Sequence, residues 1–267
     1  MSQLSFADLC NAFENAPVRK PTLVSEPVKA IPRMISTAEA RKQFISVFTH
    51  TAHNMRRWDV FSDFISLAAS ELDLARIRTP ENIERSRQIC DRYNPGDQDN
   101  LKKLFCLLVT ALEGKHHDFL GSVFMELELG SDRMGQFFTP YDIQLMMAKM
   151  LTGDIAERVQ KKGWEEMQEP ACGAAGMVVA YAECMLDAGL NPSEHLFVTG
   201  IDLDPIAADM AFIQLSLLGI PAEIITGNTL SYQFSRVRYT PVYYINNWQD
   251  RRALRRRVEA MKAILAA

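Results

Sequence analysis

Residues 169–177 read EPACGAAGM, an acidic residue and a proline followed by a cysteine and two glycines. The segment lies between WEEMQE, a pattern typical of a short strand, and GMVVAYAECMLDAG, whose apolar residues recur at helical spacing. Gly173 and Gly176 would let the backbone turn tightly and approach a ligand closely, and the helix behind them would offer free N–H groups. Glycines also occur in such turns only because the turn requires them. The segment predicts a strand–turn–helix unit and leaves a ligand site open.

Strand and helix patterns alternate along the chain after about residue 164. Further strands are predicted in HLFVTGIDLD, AEIITGNTL and PVYYINN, and a further helix in PIAADMAFIQLSLLG. This alternation is typical of a parallel sheet with right-handed crossovers, in which ligands lie at the carboxyl ends of the strands. The sequence therefore predicts an α/β fold for this half of the chain.

The first half of the sequence has a different character. Residues 17–35 contain four prolines, which favour an extended arm because proline lacks a backbone donor. Helical patterns follow: Ser36 and Glu39 have the spacing of a capping box, and Thr79 with Pro80 is typical of a helix start. We predict three parts: an arm over 1–35, a helical domain over 36–130 and an α/β domain over 131–267.

Composition limits the classes of function. Of the 267 residues 48% are hydrophobic, as in globular proteins, and the net charge of −4 means that nucleic acid could be bound only through a local basic patch. The five cysteines are odd in number and lack metal-ligand spacing, which indicates reduced thiols in a cytosolic protein and argues against a zinc site. The N-terminus lacks the pattern of a signal peptide, and no apolar run approaches ~18 residues. We therefore predict a cytoplasmic location.

Polar side chains follow the second and third predicted strands. Asp202 ends the second strand, where a carboxylate can accept two hydrogen bonds from a ribose diol. Asp204 is better placed to cap the helix that begins at Pro205. Asn228 follows the third strand, where it would either contact a purine edge or form an ordinary Gly-Asn turn.

Four segments follow one another along the chain: GQFFTP (135–140), EPACGAAGM (169–177), GIDLDP (200–205) and GNTL (227–230). In this order they resemble the adenine-N6 DNA methyltransferases, in particular the modification subunits of type I restriction systems. The family has Gly-Gln-Phe-aromatic-Thr-Pro, then Asp-Pro-x-Cys-Gly-Ser-Gly, then an acid after the second strand, then Gly-Asp-(Thr/Ser)-Leu. DFLGSVFMEL (118–127) is also similar to the helix that precedes the first of these. The resemblance covers about residues 118–230 and implies a Rossmann-like methyltransferase sheet preceded by a helical domain.

The resemblance implies a binding site for S-adenosylmethionine. Phe137, Phe138 and Thr139 would line the methionine and adenine side, the glycine turn would lie under the amino-acid part, and Asp202 and Asn228 would approach the ribose and the adenine. An acid near a sulfonium and an ammonium is favourable, and aromatic faces suit cations and purines. The implied cofactor-binding residues are Gln136, Phe137, Phe138, Thr139, Glu169, Pro170, Cys172, Gly173, Gly176, Asp202 and Asn228.

Three positions near the cofactor depart from the family pattern. Glu169 and Asn228 stand where aspartate is usual, and both can still accept a hydrogen bond. Ala174 and Ala175 replace the usual Ser-Gly, and the methyl group of Ala175 would crowd the turn or the cofactor.

The catalytic motif departs further. Methylation of an exocyclic amine needs acceptors for its two N–H bonds and an aromatic ring that stacks on the flipped base, which the family supplies as Asn/Asp-Pro-Pro-aromatic after the fourth strand. This chain has INNW at residues 245–248, without either proline. If Trp248 aligns with the aromatic residue, Ile245 occupies the acceptor position. Asn246, Asn247 and Trp248 remain the catalytic candidates, and a turn at the end of a strand is the alternative.

The last predicted helix is rich in arginine and follows INNW directly. Its arginines would contact DNA phosphates or would simply lie in solvent on one helix face. The five candidates are Arg251, Arg252, Arg255, Arg256 and Arg257.

The family's sheet continues beyond the strands that are found here. The resemblance therefore implies a truncated or degenerate relative, whose further strands and target-recognition region are lost or are supplied by a partner subunit or a second copy. The predicted function is that of an S-adenosylmethionine-binding homologue of adenine-N6 DNA methyltransferases, which transfers a methyl group to DNA adenine if it is active. The alternative is an inactive relative that binds cofactor, DNA or protein.

Overall fold

The structure is a computed structural model that describes residues 35–113, 115–129 and 138–266. Residues Ile35–Ala267 cluster as one compact unit. The predicted proline-rich arm lies outside the described residues except for Ile35, and the division near residue 130 stays a prediction. No helix within the described ranges is both long and apolar enough to cross a membrane.

Helices fill the chain before the sheet, as the sequence predicts. Two predicted starts are confirmed: the Ser36 hydroxyl accepts a hydrogen bond from the Glu39 N–H, and the Thr79 hydroxyl accepts one from the Asn82 N–H. Residues 95–126 contain two helices, Pro95–Leu112 and Phe119–Glu126. The helices are α1 Thr37–His50, α2 Arg57–Leu72, α3 Pro80–Cys90, α4 Pro95–Leu112, α5 Phe119–Glu126, α6 Tyr141–Leu151 and α7 Ile155–Lys162.

The α/β part contains a four-stranded sheet with strand order β1-β2-β3-β4. The first three strands are parallel, and helices connect them, so that the predicted α/β fold with a parallel sheet is confirmed. The elements are β1 Glu165–Glu169, α8 Gly176–Asp187, α9 Pro192–His195, β2 Leu196–Asp202, α10 Pro205–Leu217, β3 Ala222–Asn228, β4 Gln233–Tyr239, α11 Pro241–Ile245 and α12 Trp248–Ala266.

The prediction of a strand in PVYYINN is wrong. Residues Pro241–Ile245 form the short helix α11, which proline favours at its first position because that position needs no backbone donor. The fourth strand is instead QFSRVRY, which pairs antiparallel with β3. The sequence pattern does not indicate this strand, because a charged residue, Arg238, occupies a buried position. Arg238 is more than nine-tenths buried and donates to the Asp209 carboxylate at 2.8 Å.

Helix α10 connects the sheet to the preceding helices. It packs against β2 and β3 on one side and against α2 on the other, and it is apolar over most of its circumference. Its buried polar side chains have partners in distant segments: Asp209 pairs with Arg236 and Arg238 of β4, and the Gln214 amide hydrogen-bonds to α5 and to the turn after β1. The helical segment and the sheet thus share one core.

Candidate functional site

The turn after β1 is held against the carboxyl end of β2. The Cys172 N–H donates to the Ile201 carbonyl at 2.8 Å, and the Gly173 N–H donates to the Asp202 carboxylate at 2.7 Å. The second oxygen of Asp202 accepts a hydrogen bond from the Asp204 N–H at 2.9 Å. Asp204 caps α10 through the Ile206 N–H, as predicted. Asp202 therefore organises the turn as well as standing at the position expected for a ribose ligand.

Phe138, the fourth residue of GQFFTP, lies against the glycine turn. A Cβ atom at Gly173, which has φ of +53°, would lie 2.8 Å from Cε1 of the Phe138 ring. The same ring packs edge-on against Phe124 of α5, with centroids 5.0 Å apart. Two segments more than 30 residues apart in the chain thus meet at a position where only glycine fits. Gln136 and Phe137 of the same segment lie outside the described residues.

Gly176, the first residue of α8, lies beneath two polar side chains. A Cβ atom there would be 2.2 Å from Gln144 Oε1 and 2.7 Å from Asp118 Oδ2. The preceding Ala175 has φ of +66°, the left-handed conformation in which glycine is the usual residue, and no side chain caps the helix. The Ala175 methyl group is fully buried, so it lies away from the open side of the turn.

Asp118 and Gln214 tie the turn to the helices behind it. Gln214 Nε2 donates to Asp118 Oδ1 at 2.9 Å and to the Ala174 carbonyl at 2.6 Å. Gln214 Oε1 accepts from the Leu120 N–H, and Asp118 accepts from the Gly121 N–H as the cap of α5. Burial raises the pKa of the Asp118 carboxyl. These bonds fix the base of the turn from two directions.

The turn after β3 contacts the turn after β1. The Thr229 hydroxyl donates to the Pro170 carbonyl at 2.6 Å. The Asn228 side chain accepts from the Leu230 and Ser231 N–H groups, at 2.9 and 3.2 Å. The sequence allows two roles for Asn228, a turn residue or a contact with a purine. In the structure its side-chain oxygen stabilises the Gly-Asn turn.

A cavity of about 260 Å³ opens at the centre of this arrangement. Burial raises the pKa of the Glu169 carboxyl at its edge, as it does for the neighbouring Asp202. Burial likewise holds the pKa of the Cys172 thiol well above its ordinary value, so the thiol is a packing group. Carboxyl groups that are partly removed from water favour a cationic ligand. The cavity is lined by Phe138, Thr139, Gln144, Met147, Glu169, Ala171, Cys172, Gly173 and Met177.

INNW lies at the other end of the sheet. The Trp248 indole is fully buried and donates to the Ser193 carbonyl at 3.1 Å, and the Asn246 amide donates to the same carbonyl at 3.0 Å. Ser193 precedes the amino end of β2, whereas the glycine turn follows the carboxyl end of β1. The Asn247 amide bonds to Asp250. The structure does not bring Asn246, Asn247 or Trp248 to the cavity, because the chain enters α12 at the amino ends of the parallel strands.

The arginine helix α12 packs on the same end of the sheet. Arg251 lies over the Trp248 ring, Arg252 over Phe197 and Arg255 over Trp164, with 3.9, 3.9 and 3.3 Å from guanidinium carbon to ring centroid. Arg255 also donates to the carbonyls of Lys162 and Trp164. Arg256 and Arg257 are exposed and form no ion pair with the described residues. Of the five candidates for DNA contact, three therefore hold the helix in place.

The sequence of the site and of the strands around it matches a family model described as N-6 DNA Methylase over residues 117–250, which is half of the chain. The chain belongs to this family. Its members use S-adenosylmethionine as cofactor. None of the curated proteins is similar enough in sequence to match.

Two solved structures match part of the chain. One is a protein assigned as a class I S-adenosylmethionine-dependent methyltransferase from Listeria monocytogenes, with 16% identity, a TM-score of 0.44, and coverage of 73% of this chain and 55% of that one. The other is the methyltransferase subunit of a type I restriction-modification system from Streptococcus thermophilus, with 12% identity, a TM-score of 0.40, and coverage of 70% and 57%. The chain thus spans somewhat more than half the length of each.

Proposed function

We propose that this chain binds S-adenosylmethionine in the cavity between Phe138 and the Glu169–Gly176 turn. The observation that carries the proposal is the contact of Phe138 with Gly173, because it joins the two segments that the family uses for its cofactor. The cavity also fits the ligand chemically. Gly173 and Gly176 leave no room for a Cβ atom, so the backbone of the turn stays close to the cavity. The buried amide oxygen of Gln144 lacks a hydrogen-bond partner among the described residues.

The roles of the residues follow from their positions. Glu169 at the cavity edge would attract the ammonium and sulfonium charges, and Phe138 and Met177 would cover the apolar part. Asp202 would accept hydrogen bonds from the ribose with the lone pairs that its two backbone donors leave free. Pro170 would set the approach of the β3 turn through Thr229. When bound, the cofactor supplies an electrophilic methyl group.

We further propose that the methyl acceptor is adenine N6 in DNA, as in the family, and that Asn246, Asn247 and Trp248 do not form the acceptor site. Their hydrogen bonds to the segment before β2 and to Asp250 support this second part. The groups that accept the amine's hydrogen bonds would then come from other residues or from a partner subunit, a second copy included.

Incubation with unmethylated DNA and cofactor, followed by mass spectrometry of the nucleosides, tests the reaction. N6-methyladenine, formed equally by the Asn246→Ala variant, would support a transferase with its acceptor site elsewhere. Cofactor binding without any methylated nucleoside would favour the second candidate, a cofactor-binding member that does not catalyse transfer by itself. The position of INNW is what favours that second candidate.

The free arginines of α12 give a separate prediction about DNA. We expect the double variant Arg256→Ala, Arg257→Ala to bind DNA more weakly and to reduce the slope of log K against log salt by about one for each phosphate that it no longer neutralises. Fluorescence anisotropy over a series of salt concentrations measures this slope. Lys102→Ala with Lys103→Ala removes the same charge from the exposed face of α4 and should leave the slope unchanged. An equal slope in the arginine variant and the unmodified chain would remove α12 from the DNA site.

We also propose a cellular location and a partner for the chain. The reduced thiols expected from the cysteine pattern favour a cytoplasmic location. Because INNW is held away from the cavity by its bonds to Ser193, we propose that a partner subunit completes target recognition.

A further inference from the structure

Gln144 on helix α6 has one end of its amide bonded and the other end free. Nε2 donates to the Thr139 carbonyl at 2.9 Å. A carbonyl can only accept, so this bond fixes which end of the amide is nitrogen and which is oxygen. The residue is 8% exposed, and Oε1 is buried without a hydrogen-bond partner among the described residues.

A buried acceptor without a donor costs free energy, because the hydrogen bond that it made to water in the unfolded chain is not replaced. An unpaired buried acceptor in a native protein needs an explanation, and one explanation is that a ligand supplies the missing donor. Gln144 lines the cavity together with Glu169 and Gly173, on the side of the turn under the amino-acid part of the expected cofactor. Asp202 and Asn228, which are expected to approach the ribose and adenine, are not among the residues that line this part.

We propose that Gln144 Oε1 accepts a hydrogen bond from the α-ammonium group of bound S-adenosylmethionine, and this inference rests on the proposed cofactor site. The amino-acid part of the cofactor carries one hydrogen-bond donor, its ammonium group, and a carboxylate that would repel an amide oxygen. The ammonium therefore matches the free acceptor. Glu169 supplies the charge attraction at the edge of the cavity, and Gln144 supplies an acceptor, which lies against Gly176 and has to turn towards the ammonium group.

Gly176 keeps the Gln144 amide in its position. A Cβ atom there would lie 2.2 Å from Gln144 Oε1, so any larger residue would push the amide away from its position. The same Cβ atom would lie 2.7 Å from Asp118 Oδ2, so the ends of two side chains would have to move, and Gly176 has no positive φ that would strain an alanine. Gly176→Ala should therefore fold and displace the acceptor.

The test compares two ligands by calorimetry: S-adenosylhomocysteine, and its analogue in which hydrogen replaces the α-amino group. We expect Gln144→Met, a change of similar volume, to weaken binding of S-adenosylhomocysteine by about tenfold or more, since hydrogen bonds to charged groups are the stronger ones. Binding of the analogue should change by less than about twofold. Gln160→Met, the same replacement on the exposed face of α7, should change neither affinity.

Several outcomes would overturn the inference. An equal loss for both ligands in Gln144→Met would mean that the side chain only shapes the cavity, while the cofactor site itself would stand. Unchanged binding of both would mean that Oε1 faces water or protein. Failure of the unmodified chain to bind S-adenosylhomocysteine would overturn the proposed function and this inference together.

A double variant provides a second test that does not depend on one side chain. If Gly176→Ala acts by displacing Gln144, the double variant Gly176→Ala, Gln144→Met should bind S-adenosylhomocysteine no more weakly than the weaker single variant. If the fold-losses of affinity in the two single variants multiply in the double variant, Gly176 acts independently of Gln144. That result would contradict the proposed role of Gly176.

Discussion

Replacing Gly173 by valine is expected to weaken binding of S-adenosylmethionine by at least ~100-fold, because the new side chain would fill the place where the backbone approaches the ligand. A Cβ atom at this position already lies 2.8 Å from the Phe138 ring, and the branched side chain adds two further methyl groups. Phe138 would be displaced from the turn, and both halves of the proposed site would change. Calorimetric titration of the purified variant measures the effect.

Gly189 provides the matched control for this substitution. It also has a positive φ, +76°, but a Cβ atom there meets nothing within 4 Å. Gly189→Val therefore carries a comparable backbone strain without entering the cavity, and its affinity for the cofactor should equal that of the unmodified chain. Equal affinities in both valine variants would contradict the site assignment.

Replacing Trp248 by alanine is expected to lower the free energy of unfolding by about 3–5 kcal/mol and to leave cofactor affinity unchanged. The indole is fully buried between Trp164 and Phe197, with centroids 4.9 and 5.6 Å away, and Arg251 covers its outer face. It lies at the amino end of the sheet, which β1 separates from the glycine turn by on the order of 15 Å. Chemical denaturation and calorimetry measure the two quantities.

Trp248→Phe distinguishes packing from chemistry. It keeps an aromatic ring in the cluster and removes the Nε1–H bond to Ser193, so that it should recover most of the lost stability. A Trp248→Ala variant with unchanged stability and abolished methyl transfer would instead return this residue to the catalytic site that the sequence suggests.

The parallel sheet and the glycine turn could be predicted because their signals are local. Capping residues, a proline at the first position of a helix and alternating apolar runs each fix the backbone over a few residues. Phe138 and the glycine turn could be brought together only through the family resemblance, since more than 30 residues separate them. The structure then gives a physical reason for the pairing, in the contact between the ring and Gly173.

The fourth strand could not be predicted from its own residues. QFSRVRY places Arg238 in the core, which is favourable only because Asp209 of α10 and Asp73 at the end of α2 lie beside it. Without QFSRVRY, the sequence predicts PVYYINN as the fourth strand. INNW is then expected at the end of a strand, and not at the start of α12 where the structure has it. A short apolar run such as PVYYI has no period that separates a strand from a helix.

Gln144 and Asp118 carried no signal of their role in the sequence. Each occurs in a helical pattern as an ordinary polar residue, and each depends on contacts with residues far along the chain. Gly176 is the exception, because the need for a glycine at that position is visible in the sequence. The reason for it, the two side chains that occupy the space of a Cβ atom, appears only in the structure.

The cavity beside Phe138 and Gly173 is proposed to bind the family's cofactor. Calorimetric titration of the purified chain with S-adenosylmethionine, repeated with S-adenosylhomocysteine, measures that binding. We expect saturable one-to-one binding of both ligands, abolished in Gly173→Val and kept in Gly189→Val. A folded chain that binds neither ligand would contradict the claim.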